Sequence, residues 1–352
     1  MALPTQVSPP QVAVSDVAPS AVVGADVVAI PVLSGPDGLT LGPGTAELLD
    51  ELDDDLFELL EQASATGEAG EIIDRVVLDT SGLSNTDLRL VLLVGVGEGS
   101  SGEMRRAGAA LARRTRDRMT VATSLGALCD DVGLRALIEG LVLGSYEFHW
   151  RSEGPKKQPV GRVVLAGLVD SAARKDAVAR ALAVAGAGWL ARTLALVPSN
   201  IKNPAWLADQ AAEVADRSGL AITVWDEKAL EKEGFGGIVG VGQGSDTPPR
   251  LVRLDYTPRR GAKKAPHVVL VGKGITFDTG GLSIKARDPM MAMKRDMTGA
   301  GVVLAVLGAL ADVDCPVRVT GLLPLAENAV GSASSCFSSQ TRHFRPWSAA
   351  KV

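Results

Sequence analysis

The sequence predicts an α/β protein of two domains, each a sheet covered by helices. Three observations carry this. The chain has 352 residues, enough for two separate cores. It is 46% hydrophobic but only 4% aromatic, so those cores must be built from Ala, Val and Leu, as in helices packed on buried sheets. Apolar runs of strand length alternate with amphipathic stretches of helix length, the pattern of crossover connections in a mostly parallel sheet.

The first domain is expected over residues 1–170. After a loose, Pro-rich start, ADVVAIPVL at 25–33 reads as a buried strand and 45–64 as a helix. In that helix the acidic run 50–55 alternates with Leu48, Leu49, Leu52 and Leu56, so the charges form its wet face. DLRLVLLVG at 87–95 is a second strand, followed by a basic helix at 103–118, a strand at 119–124 and a helix at 132–143. Residues 146–149 and 161–167 read as two strands joined across RSEGPKKQPV, a hairpin or loop at the domain edge.

A long Ala-rich helix at 172–195 links to the second domain, expected over 171–334. A helix opens at Asn203 or Pro204, and a strand at 220–225 and a helix at 227–233 follow. GFGGIVGVGQG at 234–244 reads as a Gly-rich turn before VRLDY. Strands at 266–272 and 317–323 flank a helix at 298–311, giving about four strands. Residues 335–352 form a tail whose composition changes abruptly at Ser334, as a shifted reading frame would produce.

Charge and cysteines narrow the function. A net charge of −5 gives no overall attraction to nucleic acid or an anionic membrane, so nucleic-acid binding is not expected. A basic stripe on one helix, Arg105, Arg106, Arg113, Arg114, Arg116 and Arg118, is the only candidate for it, and solvated helix charges account for it. Cys129, Cys315 and Cys336 are odd in number and widely spaced, which fits unpaired thiols in a reducing compartment. The N-terminus lacks the basic and apolar regions of a secretory signal, and no run approaches a bilayer span, so a cytoplasmic protein is expected.

Two glycine-rich loops invite a phosphate reading. GEGSSG at 97–102 follows a strand and precedes a helix, the context of a nucleotide or ADP-ribose loop. Glu98 inside it opposes a pyrophosphate, so a tight turn is the competing account. The loop at 234–244 has no helix N-terminus facing it, the wrong arrangement for phosphate.

The run VGKGITFDTGGLSIK with MKRDMTGA downstream is different in kind, because it places Lys273, Asp278, Lys285 and Asp296 close together after a strand. Open α/β sheets bind their ligands at the carboxyl ends of strands, and Gly274, Gly280 and Gly281 let the backbone fold back tightly there. Asp278 and Asp296 are hard oxygen donors for a divalent cation, and Lys273 is a nitrogen donor when deprotonated. The competing account gives Asp278 an Asx turn, Asp296 a cap on the helix near Thr298, and solvated lysines.

These two runs closely resemble the signature of the leucyl aminopeptidase family, two-metal exopeptidases that remove N-terminal residues from peptides. PLAEN at 324–328 is similar to the family's next block, and VGQGSDTPPRLVRLDY to the segment before the signature. The resemblance implies a macro-like α/β domain ahead of an α/β metallo-exopeptidase domain, two divalent ions (manganese or zinc), peptide substrates and a homo-hexamer. It implies that Asp278 bridges the ions, that Lys273 and Asp296 complete one of them, and that Lys285 stays protonated and polarises the substrate carbonyl. Met293 falls where the family lines the pocket for the first side chain, which suits Leu or Met.

After PLAEN the family continues through an Arg-Pro-Gly-Asp segment to an Asn-Thr-Asp-Ala-Glu-Gly-Arg block that supplies two more carboxylates and an arginine. Neither occurs here, and Arg345-Pro346 runs into Trp347. The expectation is a catalytic domain that stops inside its core, at most one partly liganded ion, and impaired or absent turnover.

Overall fold

A computed structural model describes residues 4–331 except 37, 53–54, 151, 170 and 262–263. The expected tail at 335–352 lies outside the described residues. The chain divides into two compact units, residues 3–186 and the chain from Ala187 onward, and the division falls within a single helix.

The first unit is a seven-stranded sheet. Its strands are β1 (Gln11–Val14), β2 (Val27–Gly35), β3 (Gly38–Leu41), β4 (Ile72–Val76), β5 (Leu90–Gly97), β6 (Thr120–Thr123) and β7 (Arg162–Leu165). Their order is β1-β7-β6-β2-β5-β4, with β3 on β2. The four pairings from β1 to β5 are parallel, whereas β4 on β5 and β3 on β2 are antiparallel. β5 is buried at every position, as the apolar run LVLLV requires of a strand covered on both faces.

The helices of this unit are α1 (Thr45–Leu52), α2 (Leu56–Gln62), α3 (Ser101–Arg114) and α4 (Asp131–Gly144). α3 and α4 pack backbone to backbone, because a Cβ on Gly140 would collide with the carbonyl of Arg105.

Four expectations need correction here. The start is not loose throughout, since β1 pairs with β7. The single helix at 45–64 is two, because the Asp55 carboxylate turns inward to accept from Phe57 N at 2.9 Å and Glu58 N at 3.3 Å, capping a new helix. Residues 146–149 form no strand, and β7 runs parallel to its neighbours, so of the two readings the loop holds and, among the described residues, the hairpin does not. The strands β3 and β4 were not expected at all.

The second unit holds β8 (Ala221–Trp225), β9 (Arg250–Tyr256), β10 (His267–Val271), β11 (Gly274–Asp278) and β12 (Arg318–Asn328). The order is β10-β12-β9-β8, with β11 also on β12, so the sheet has five strands rather than four. β10 and β11 are parallel to β12, and β9 is antiparallel to it. The helices are α5 (Ala172–Leu196), which crosses the division, then α6 (Pro204–Ser218), α7 (Glu227–Glu233), α8 (Gly236–Gly242), α9 (Arg287–Met291) and α10 (Thr298–Ala309).

Leu207, Val252, Leu254, Leu304, Leu307 and Leu323 form the core of this unit. α6 starts as its sequence demands: Asn203 accepts from Trp206 N at 2.9 Å, Pro204 occupies the first turn, and Gly219 ends it in the left-handed region. The glycine-rich run expected to be a turn instead winds into α8, where a Cβ on Gly242 would crowd the Pro249 ring.

Candidate metal centre

β10 and β11 both lie along β12, which runs past the break between them. His267–Val271 pair with 318–322, and β11 resumes against 325–328, where Asp278 stands opposite Asn328. At the break Gly272 N donates to Leu322 O at 3.0 Å, and Lys273 O accepts from Ala300 N at 2.8 Å. A Cβ at Gly272 would sit 2.5 Å from Gly299 O, so only glycine lets the start of α10 come this close. Lys273 is thereby fixed at its backbone while its side chain points outward, 61% exposed.

The Lys273 amine lies 2.7 Å from Asp296 Oδ2. That oxygen is buried and accepts no hydrogen bond, so the pair has ion-pair distance without hydrogen-bond alignment. Asp296 follows a single 3-10 turn, Ala292–Arg295, and its N–H donates to Met293 O at 3.1 Å. It does not cap α10, whose N-cap is Met297. Met293 is half-buried in the same turn, and the turn packs against β11.

Asp278 ends β11 and is held from three sides. Oδ2 accepts from Lys285 Nζ at 2.5 Å, and Oδ1 accepts from Asn328 Nδ2 at 2.7 Å and Gly280 N at 2.9 Å. The last of these is the Asx turn of the competing account, so Asp278 makes the turn and the ion pair together. Burial raises its pKa, but the hydrogen bonds from Lys285, Gly280 and Asn328 and the Lys285 charge outweigh that and leave it below the usual carboxylate value. Asp278 is therefore an anion near neutrality.

Gly280 and Gly281 both have positive φ, and Thr279 donates twice to Asn328 O, from N and Oγ1, at 2.9 Å each. Lys285 N returns to Thr279 O at 2.8 Å, which brings its ammonium back to Asp278. The structure thus joins the four expected residues into two ion pairs on adjoining segments, Lys273 with Asp296 and Lys285 with Asp278. Neither lysine is merely solvated.

Sequence reasoning missed two residues. Asn328 orients Asp278, and its place opposite the strand end inside PLAEN was the available signal. Lys202 is fully buried, with Nζ donating to Leu194 O at 2.8 Å and Ala195 O at 3.0 Å at the C-terminus of α5. Lys294, beside Met293, donates to Leu196 O at 3.3 Å on the same helix end. Burial, aided by the Lys294 charge, pushes Lys202 down to about 7.

As a test of fit for a cation, the buried Asp296 oxygen that accepts no hydrogen bond, the anionic Asp278 and the Lys273 nitrogen are donors of suitable type. Among the described residues no trio of His, Cys, Asp or Glu is gathered for a metal ion.

The other candidate sites are closed. At the 97–102 loop, Ser100 N and Oγ both reach Glu103 Oε2, at 2.9 and 2.6 Å, so the start of α3 already carries its own carboxylate where a phosphate would bind. The arginine stripe is largely matched by carboxylates: Arg105 with Glu139, Arg114 with Asp74, Arg116 with Glu147 and Arg118 with Asp26. Cys129 and Cys315 are unpaired thiols. Among the described residues, no helix is long and apolar enough to cross a membrane.

Fold and site together define a two-unit α/β chain with a lysine–carboxylate cluster at the carboxyl edge of its second sheet. Comparison with known proteins gives the family. The catalytic-domain profile of the cytosol aminopeptidase family matches residues 189–338, and the N-terminal-domain profile of the same family matches residues 22–153. The chain belongs to the cytosol aminopeptidase family.

It is 40% identical to a probable cytosol aminopeptidase of Rhodococcus opacus over 320 residues, 88% of this chain and 61% of the relative. Among solved structures it is similar to a bottromycin maturation enzyme, BotP, in complex with Mn, at 33% identity and a TM-score of 0.71, covering 88% of this chain and 61% of that one. It is also similar to the cytosol aminopeptidase of Coxiella burnetii, at 26% identity and a TM-score of 0.67, covering 89% and 61%. The chain thus spans about three fifths of the length of these relatives.

Proposed function

We propose that this chain carries the lysine and carboxylate half of the metal centre of an aminopeptidase that releases N-terminal residues, Leu foremost, from peptides. One observation carries the reading: the Lys273 amine stands 2.7 Å from a buried Asp296 oxygen that accepts no hydrogen bond. The Lys273 charge partners that oxygen without an aligned hydrogen bond, which leaves it lone-pair capacity for a cation.

A divalent cation held by Lys273, Asp278 and Asp296 supplies Lewis acidity toward a peptide carbonyl. Manganese and zinc both suit one nitrogen with carboxylate oxygens, and the manganese complex of BotP favours the former. The chain's own residues do the rest. Asn328 and Gly280 N hold Asp278 in one orientation, and Lys285, ion-paired beside it, offers its ammonium to the carbonyl oxygen as negative charge develops there. Met293, half-buried on the neighbouring turn, gives an adaptable apolar wall for the first side chain.

The cytosol aminopeptidase relatives support a cytoplasmic location, and a homo-hexamer belongs to the same proposal. With donors for one ion only among the described residues, the chain by itself turns over slowly. Hydrolysis of leucine amide by the purified chain tests this. The expected result is weak, manganese-dependent release of Leu that Lys285→Gln lowers by about 100-fold. Release that persists after chelation, or that the substitution leaves unchanged, contradicts the proposal.

A further inference from the structure

The carboxyl end of α5 is held by two lysines that come from distant parts of the chain. Pro198 has no N–H to give Leu194 O, so the helix stops with its last carbonyls in need of outside donors. Lys202 donates to Leu194 O at 2.8 Å and to Ala195 O at 3.0 Å. Lys294, 98 residues beyond Leu196, donates to Leu196 O at 3.3 Å. Three successive carbonyls thus face two ammonium groups, the charge that the negative end of a helix favours.

Lys202 is the fixed half of this clasp. It is fully buried, and its own turn, in which Ile201 N and Lys202 N both donate to Pro198 O, leads straight into α6. Lys294 is the half that reaches the site. It stands on the 3-10 turn Ala292–Arg295, next to Met293 and two residues before Asp296.

The chain after Asp296 is anchored to the same place. Met297 is fully buried in one cluster with Leu194, and a Cβ on Gly301 of α10 would lie 3.6 Å from Leu194 Cβ. Asp296 is therefore bracketed, with Lys294 tying the chain before it and Met297 the chain after it to the last turn of α5. Its carboxylate has little else to fix it, since among the described residues its one partner is the Lys273 amine.

We infer that Lys294 is a positioning residue: by hydrogen-bonding the end of α5 it sets the Met293–Asp296 turn, and through that turn the Asp296 carboxylate, where a cation is taken. This rests on the reading of Asp296 as a metal ligand. A methionine at 294 fills the same space but leaves Leu196 O without its donor, so the turn keeps its packing and loses its tie.

The test uses the full chain with Lys294→Met and Lys294→Arg, measured without metal and then with manganese. Without metal, Lys294→Met is expected to keep the far-ultraviolet spectrum and to speed amide exchange across residues 293–297 by about tenfold. With manganese, calorimetry is expected to show binding weakened by about tenfold. Lys294→Arg, which keeps a charged donor, is expected to restore both.

Exchange that stays at the parent's rate, a manganese affinity indifferent to Lys294→Met, or a loss that Lys294→Arg fails to restore overturns the inference. Faster exchange in a chain that takes no manganese in any form supports the positioning role and counts against the metal reading alone.

Discussion

The two sheets share one vocabulary of Val- and Leu-rich strands, but they end differently. The first closes itself with short strands, β4 bearing Asp74 and Arg75 at one end and β1 beginning with Gln11 at the other. Asp74 even ties to Arg114 of α3. The second presents a bare valine strand at its edge, next to the break that sets Lys273 against Asp296. Self-sufficient order and a chemically charged edge are therefore located in different units, and the contrast can be broken or sharpened by substitution.

The largest expected effects are in the cores. Leu92 is fully enclosed in β5, so Leu92→Ala leaves a cavity that cannot collapse and costs about 4 kcal/mol, whereas Leu270→Ala on the half-open β10 costs about 2 kcal/mol. Urea denaturation of both variants checks this, and equal losses would remove the distinction between closed and open sheets.

Next comes pH. Lys202 in the second unit is held at about 7 against an ordinary 10.5, so between those values the unfolded chain keeps a proton that the folded chain has lost, and stability rises with pH. Cys129 in the first unit is pushed up from 9.0 to about 12, by burial and then by the Asp130 charge. There the folded chain keeps the proton that the unfolded chain loses, so stability falls as pH climbs from 9.0. Lys202→Met should flatten the rise and Cys129→Ala the fall in denaturation curves measured across this range. Slopes that do not respond to either variant would show that these groups titrate alike in both states.

The smallest effect is expected at the exposed edge, where Val271→Thr should change stability by no more than about 0.5 kcal/mol by the same denaturation assay. A larger loss would mean that the valine is already covered.

The sequence made the buried strands and the start of α6 legible because burial leaves continuous apolar runs and Asn203-Pro204 has few other uses. What stayed hidden were contacts whose signal is not local. β1, β3 and β4 are short edge strands whose mixed composition matches loops, and α8 is a helix of glycines that propensity argues against. The hairpin reading failed because two short apolar runs cannot declare their partners, and β7 found β6 and β1 instead.

At the site, the signature named four charged residues that the structure joins into two ion pairs. Which lysine meets which aspartate depended on the break at Gly272 and the turn after Thr279, and Lys202 could not be distinguished from a surface lysine by its neighbours in the chain.

The most direct test of the half-site is a calorimetric titration of the full chain with manganese. One site per chain is expected, lost by at least about tenfold in affinity when Asp296→Asn removes the buried charge. Two equivalent sites, or a single site indifferent to Asp296, would contradict it.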